Sequence, residues 1–174
     1  AIRADIDALP MDEADKTTPY CSKVEGVMHS CGHDGHAAML LGTAKVLTQI
    51  KDQLKGKIYL CFQVAEEVGG GAGEIVEYLK QKGGVDGVIG THLDGGSDAG
   101  VIHLPDGPLM AGAQLFEIVV KGVGGHGSRP DKAVDPIKPA CDILLKIASI
   151  PAQYHNPFDT CVVSTCQIHG GSAS

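Results

Sequence analysis

"KIYLCFQVAEEVGGGAGEIVEYLKQKGGVDGVIGTH", residues 57–92, is the stretch that decides the fold. It opens on "KIYLCFQ", a short and nearly continuous apolar run, which marks a strand covered on both faces. "AGEIVEYLKQKG" follows with the spacing of an amphipathic helix, and Gly83 stands where such a helix closes. "VDGVIGTH" is then a second buried strand. Upstream, Leu40, Ala44, Leu47, Ile50 and Leu54 recur at three- and four-residue steps, predicting a helix of about four turns up to "LKGK". The chain itself opens on "AIRADIDALP", a strand-like pattern. Strand, helix, strand, helix, strand is a doubly wound α/β layer. Ligands of such a layer sit outside the carboxyl ends of its strands.

Downstream the character changes at "HLPDGPLMAG", where Pro105, Gly107 and Pro108 make a turn-rich segment. A domain boundary is expected near Asp106, with residues 1–106 in the α/β layer and 107–174 in a second, α+β domain. In "QLFEIVVKG", Leu115, Glu117, Val119 and Lys121 alternate with Phe116, Ile118 and Val120, predicting a strand over about residues 113–122. A helix over about 134–149, carrying Ile137, Cys141, Leu144, Leu145 and Ala148, and a strand over about 159–168 complete the pattern. These are too few elements to close a domain, and the chain begins without Met, so an internal piece of a longer protein is expected.

Composition narrows the function. A chain of 174 residues with 43% hydrophobic content has ample material for a core. Its net charge of −7, without any dense Lys or Arg run, argues against a nucleic-acid or anionic-membrane partner and favours a small soluble substrate. No apolar run reaches transmembrane length. Six cysteines without repeating spacing, several inside apolar stretches, read as reduced residues of a cytosolic protein.

Chemistry-bearing letters gather at the expected strand ends. Glu66 and Glu67 are adjacent and followed by three glycines, a costly arrangement unless a cation is present or one acid stays protonated. His92 ends the next strand. "MHSCGHDGHAAML", residues 28–40, adds His29, Cys31, His33 and His36. Cys31, His33, Glu67 and His92 at one rim would suit a divalent transition metal: thiolate with imidazole favours zinc, carboxylate with imidazole also suits manganese, cobalt or nickel. Structural zinc usually draws on CxxC knuckles, and none exists here, so the layout is that of a catalytic site with an open position. An unligated neighbouring carboxylate can act as general base. The same letters could instead write a Cys31 nucleophile with His33 or His92 as its base.

Six motifs in order, "RADIDALP", "GVMHSCGHDGHAAMLLG", "FQVAEE" with "GGGA", "GPLMAG", "VKGVGGHGSRPDKAVDP" and "IHGGSA", resemble the M20 metallopeptidase-like amidohydrolases, in the branch of N-acyl-amino-acid, hippurate and auxin-conjugate hydrolases. The resemblance spans essentially the whole chain. It implies a zinc-peptidase-like catalytic α/β domain with an inserted α+β lid domain, both incomplete here, and a possible homodimer through the lid. It makes Cys31 the bridge between two metal ions, with His33, Glu67 and His92 as further ligands. Glu66 becomes the general base that takes a proton from the attacking water and hands it to the leaving amine. His126, in a glycine-flanked lid loop, becomes a group that binds the substrate carbonyl or its tetrahedral intermediate. Asp7 matches an acid that orients a metal-bound histidine, while Asp5 stands where related peptidases carry that histidine. The roles of Asp5, Asp7, Asp34, His36 and Arg129 stay open, with packing or a helix-start hydrogen bond favoured over ligation for His36. His29, His103, His155 and His169 are left as non-ligands. The resemblance further implies a later lid segment and a last histidine ligand that these residues do not include, which keeps a non-catalytic, metal- or partner-binding homologue as the alternative to an amidohydrolase.

Overall fold

The computed structural model describes residues 1–171, so Ser172 and Ala173 of the "IHGGSA" motif lie outside the described residues. They form two compact units, Ala1–His103 and a second from Leu104 onward. Among the described residues no helix is long and apolar enough to cross a membrane.

The first unit is an α/β layer of parallel strands. β1 (Ile2–Asp5), β2 (Leu60–Gln63) and β3 (Ile89–Gly90) form one sheet in the order β2-β1-β3. Ile2 lies beside Leu60 on one side and Ile89 on the other, and Asp5 is in register with Gln63. Only β1 has a neighbour on each side, and it carries the buried Ala4 and Asp5. The expectation that the other two strands are covered on both faces is not met: Phe62 and Ile89 are exposed. Strand side chains point to the two faces of the sheet, and their burial depends on what packs over those faces rather than on in-sheet neighbours.

The helix predicted from Leu40 begins earlier, because α1 runs His33–Gln49. Its cap is Gly32 at φ +82°, and Asp34 in the first turn faces the positive end of the helix dipole. His33, His36 and Leu40 are its buried residues, a stripe at steps of three and four that belongs to one helix face. α2 (Ala72–Gln81) buries Leu79 and closes as expected at Gly83, whose φ of +98° lets the Gly84 N–H reach the Leu79 carbonyl at 2.9 Å.

Between β2 and α2 the backbone turns sharply. Ala65 takes φ +57°, unusual for a residue with a Cβ, and starts a single turn of 3₁₀ helix, Glu66–Val68. Gln63 braces this loop: its Nε2 donates to the Gly70 carbonyl at 2.7 Å, while its Oε1 accepts from Arg3 Nε at 2.8 Å. Gly71 sits at φ +72°, where an added Cβ would collide with the Val64 carbonyl oxygen. Gly71→Ala is therefore expected to cost roughly 1–3 kcal/mol, read as a lowered midpoint in chemical unfolding.

The second unit contains a 3₁₀ turn at Pro130–Lys132, α3 (Ile137–Ala148) and α4 (Ile150–Tyr154). α3 falls within the predicted helix. The strands expected over 113–122 and 159–168 are not formed; an isolated bridge between Val123 and Val134 is the pairing found there. Leu115, Phe116 and Val162 are exposed. Alternating side chains make a strand only where a partner takes up the backbone N–H and C=O groups, and no partner ladder exists for these segments among the described residues.

Candidate metal centre

Side chains from several local devices converge beyond the carboxyl ends of the three strands. Asp7 lies two residues past β1, so that it shares a direction with Asp5. His33 and His36 stand three apart on α1. The two spacings match: Asp7 Oδ1 meets His33 Nδ1 at 3.2 Å, and Asp5 Oδ1 meets His36 Nδ1 at 2.5 Å. The strained Ala65 turn presents Glu66 and Glu67, and Asp7 Oδ2 accepts the Glu67 backbone N–H at 3.1 Å. His92 follows β3, and Cys31 precedes α1.

Hydrogen bonding decides what each ring nitrogen can do. An ionised carboxylate only accepts, so His33 Nδ1 carries the proton shared with Asp7 and Nε2 is left as a lone pair. That Nε2 is buried and has no hydrogen-bond partner. It lies 3.6 Å from Asp5 Oδ2, 3.7 Å from Glu67 Oε1 and 3.9 Å from Glu66 Oε2. Glu67 Oε1 is likewise buried without a partner. A lone pair surrounded by carboxylate oxygens is repulsive unless a cation or a proton joins them. His92 Nδ1 donates to the Leu93 carbonyl at 2.7 Å, which turns its Nε2 towards Cys31 Sγ at 3.4 Å.

Two groups of donor atoms, each spanning no more than 4.8 Å, share His33: Cys31 with His33 and His92, and His33 with Glu66 and Glu67. In a third group of that size, Asp5 with His33 and His36, both Asp5 and His36 are already engaged. Asp5 is paired with Arg3 at 2.8 Å as well as with His36, and His36 Nε2 accepts the Leu93 N–H at 2.9 Å. His36 thus has no lone pair to offer a metal, and its partners are Asp5 on β1 and the Leu93 backbone rather than groups at the helix start.

The electrostatics fit a cation. Burial pushes the Cys31 thiol above its ordinary value, and the facing Glu67 and Glu66 carboxylates push it further. A nucleophilic cysteine needs the opposite environment. A divalent ion among these donors would reverse the balance and favour the thiolate. Burial would raise Asp5, but the His36 hydrogen bond and the Arg3 guanidinium outweigh it and hold the carboxyl below the usual range. Asp7 is also lowered, with burial opposed by the Glu67 backbone N–H.

The structure therefore brings together Cys31, His33, Glu66, Glu67 and His92 within the first unit. His126 belongs to the second unit, exposed on its loop, with Nδ1 at 2.9 Å from Ser128 Oγ. Arg129 forms a two-pronged pair with Asp131 at 2.8 and 2.7 Å. Asp34 accepts the Gly35 N–H at 2.9 Å, a helix-start role. What residue-by-residue reading left open was the pairing of Asp5 and Asp7 with His36 and His33. The signal was present, since an i, i+2 pair at a strand end can meet an i, i+3 pair on a helix.

The family described as peptidase family M20/M25/M40 matches residues 1–167. An N-acyl-L-amino acid amidohydrolase of Geobacillus stearothermophilus is 43% identical over 99% of this chain and 46% of its own length. The IAA-amino acid hydrolase ILR1-like 4 of Arabidopsis thaliana is 39% identical over 99% of this chain and 39% of its own. A crystal structure from methicillin-resistant Staphylococcus aureus superposes with a TM-score of 0.64 at 33% identity, covering 99% of this chain and 46% of that one. The chain spans less than half the length of these relatives.

Proposed function

The chain belongs to peptidase family M20/M25/M40, and from that premise we propose that its protein is a metal-dependent amidohydrolase cleaving the amide bond of N-acyl amino acids or similar small conjugates. The observation that carries the proposal is the buried, partnerless His33 Nε2 facing Cys31, His92, Glu66 and Glu67. Cys31, His33, Glu67 and His92 would hold one or two divalent ions. Thiolate with imidazole favours zinc, and the carboxylates admit manganese, cobalt or nickel. Such an ion supplies a Lewis acid that acidifies water and polarises the amide carbonyl.

The chain's own residues supply the rest. Asp7 fixes the His33 tautomer, the outer partner that keeps an imidazole aimed. Glu67 has the buried, unpartnered oxygen of a ligand, whereas Glu66 is 39% exposed and can meet water. Glu66 is accordingly the general base that removes a proton from the attacking water and delivers it to the leaving amine. In the same proposal residues 1–106 belong to a zinc-peptidase-like catalytic domain and 107–174 begin an α+β lid domain. Exposed His126, on its glycine-flanked loop, is the group assigned to the substrate carbonyl, and two copies pair through the lid. A cytoplasmic location fits the six cysteines, all of them free.

The test is hydrolysis of a panel of N-acyl amino acids by the full protein before and after chelation. Activity is expected to vanish with chelator and to return on adding back zinc, manganese, cobalt or nickel. Chelator-resistant activity abolished by thiol alkylation would replace the proposal with a Cys31 nucleophile. Bound metal without turnover on any amide would leave a metal-binding homologue.

A further inference from the structure

His36 is 1% exposed and has no part in the steps above, yet both of its ring nitrogens are engaged. Asp5, an acceptor, fixes the proton on Nδ1, and Nε2 must then accept, which it does from the Leu93 N–H at 2.9 Å. The other side of that residue, the Leu93 carbonyl, receives His92 Nδ1–H at 2.7 Å. One residue thus carries both contacts: its N–H is held by His36, and its C=O holds His92. The rings of His36 and His92 also meet edge-on, with centroids 4.5 Å apart.

Little else on the backbone steadies this segment. The ladder of β3 ends at Gly90, and its residues are exposed. The Leu93 side chain adds a packing contact, lying so close to Gly35 that a Cβ there would be 2.5 Å from Leu93 Cδ1. At the other end, Asp5 is anchored in the central strand, paired with Arg3, which is itself bonded to Gln63.

We propose that His36 is a positioning residue that transmits the fixed place of Asp5 to Leu93 and so aims His92 Nε2 at Cys31 and His33. The proposal rests on the metal-centre reading given above. It predicts separate effects on the two donor groups, because the tether acts through His92, which joins Cys31 and His33 in one group and has no place in the group of His33 with Glu66 and Glu67.

The experiment is titration of the metal-free full protein with cobalt(II), following the thiolate-to-cobalt charge-transfer band as the signature of Cys31 coordination, with the bound stoichiometry measured in parallel. His36→Ala is expected to weaken the site bearing that band by about 10–100-fold, while cobalt bound without the band is retained. His36→Gln, whose amide can donate to Asp5 and accept from Leu93, is expected to restore most of the affinity. Should the alanine variant fail to fold, Leu93→Pro, which removes the N–H that His36 accepts together with the leucine packing, is compared with Leu93→Ala, which removes the packing but keeps that N–H. The proline variant is expected to bind more weakly than the alanine one. Folded His36→Ala protein with unchanged cobalt affinity, a glutamine variant as weak as alanine, or equal binding by the two Leu93 variants would overturn the positioning role. Absence of cobalt binding by the unaltered protein would instead overturn the metal centre, and this inference with it.

Discussion

Replacing Glu66 with glutamine in the full protein is expected to lower kcat by about 10²–10⁴-fold while leaving metal content near that of the unaltered protein. The two adjacent carboxylates differ in their surroundings. Glu67 receives its place from the Asp7 carboxylate, which accepts its backbone N–H at 3.1 Å, and its Oε1 is buried with no partner. Glu66 is more exposed and its Oε2 is 3.9 Å from His33 Nε2, too far for a hydrogen bond and open to an intervening water. Glutamine keeps the shape of Glu66 but loses its negative charge and with it the capacity to take up a proton. If Glu66 is the base, the loss appears in kcat, and the dissociation constant for metal hardly moves. Glu67→Gln is expected to show the reverse order of effects, shedding metal first. Kinetics together with metal analysis on each purified variant separate the two, and a Glu66→Gln enzyme that keeps its kcat would remove the base assignment.

Much of the first unit was legible because its signals are local. Near-continuous apolar runs in "KIYLCFQ" and "VDGVIGTH", a Gly83 close and the step of three and four along α1 each mark one element, and parallel order then places the site at the strand ends. Less legible was coverage. Apolar runs report which residues are suited to burial and not whether a layer packs over each face of the sheet, and Phe62 and Ile89 are exposed. The strands expected over 113–122 and 159–168 fail for a different reason: alternation is present but no partner ladder is formed among the described residues. Within the site, ligand letters could be read from residue type, while tautomers could not. Which nitrogen of His33, His36 or His92 carries the proton depends on partners 1 to 57 positions away, from Leu93 beside His92 to Leu93 beside His36. That information is tertiary, and it is what separates His33, with a free lone pair, from His36, with none.

Asp5→Asn is expected to destabilise the fold by about 3 kcal/mol at neutral pH, with the deficit shrinking in acid. Asp5 is 1% exposed in the central strand and accepts from His36 at 2.5 Å while pairing with Arg3 at 2.8 Å. Breaking a buried pair leaves the remaining charge uncompensated, which is the source of the magnitude; Arg3 is 29% exposed, so water offsets part of it. The sign of the pH dependence follows from the depressed carboxyl. Burial alone would raise it, but the His36 hydrogen bond and the Arg3 charge prevail, so the folded state binds this proton less readily than the unfolded chain. Its stabilisation is therefore present in full above the unfolded value, about pH 4, and is lost as pH falls through the folded value. Asparagine cannot titrate, so the variant has no such loss to suffer. Denaturant unfolding of both metal-free proteins, at pH 7 and at successive steps below pH 4, is expected to show two curves that converge in acid. A deficit that stays constant across that range would mean that titration of Asp5 does not govern its contribution, and no deficit at pH 7 would mean that Arg3 and His36 are satisfied equally well without its charge.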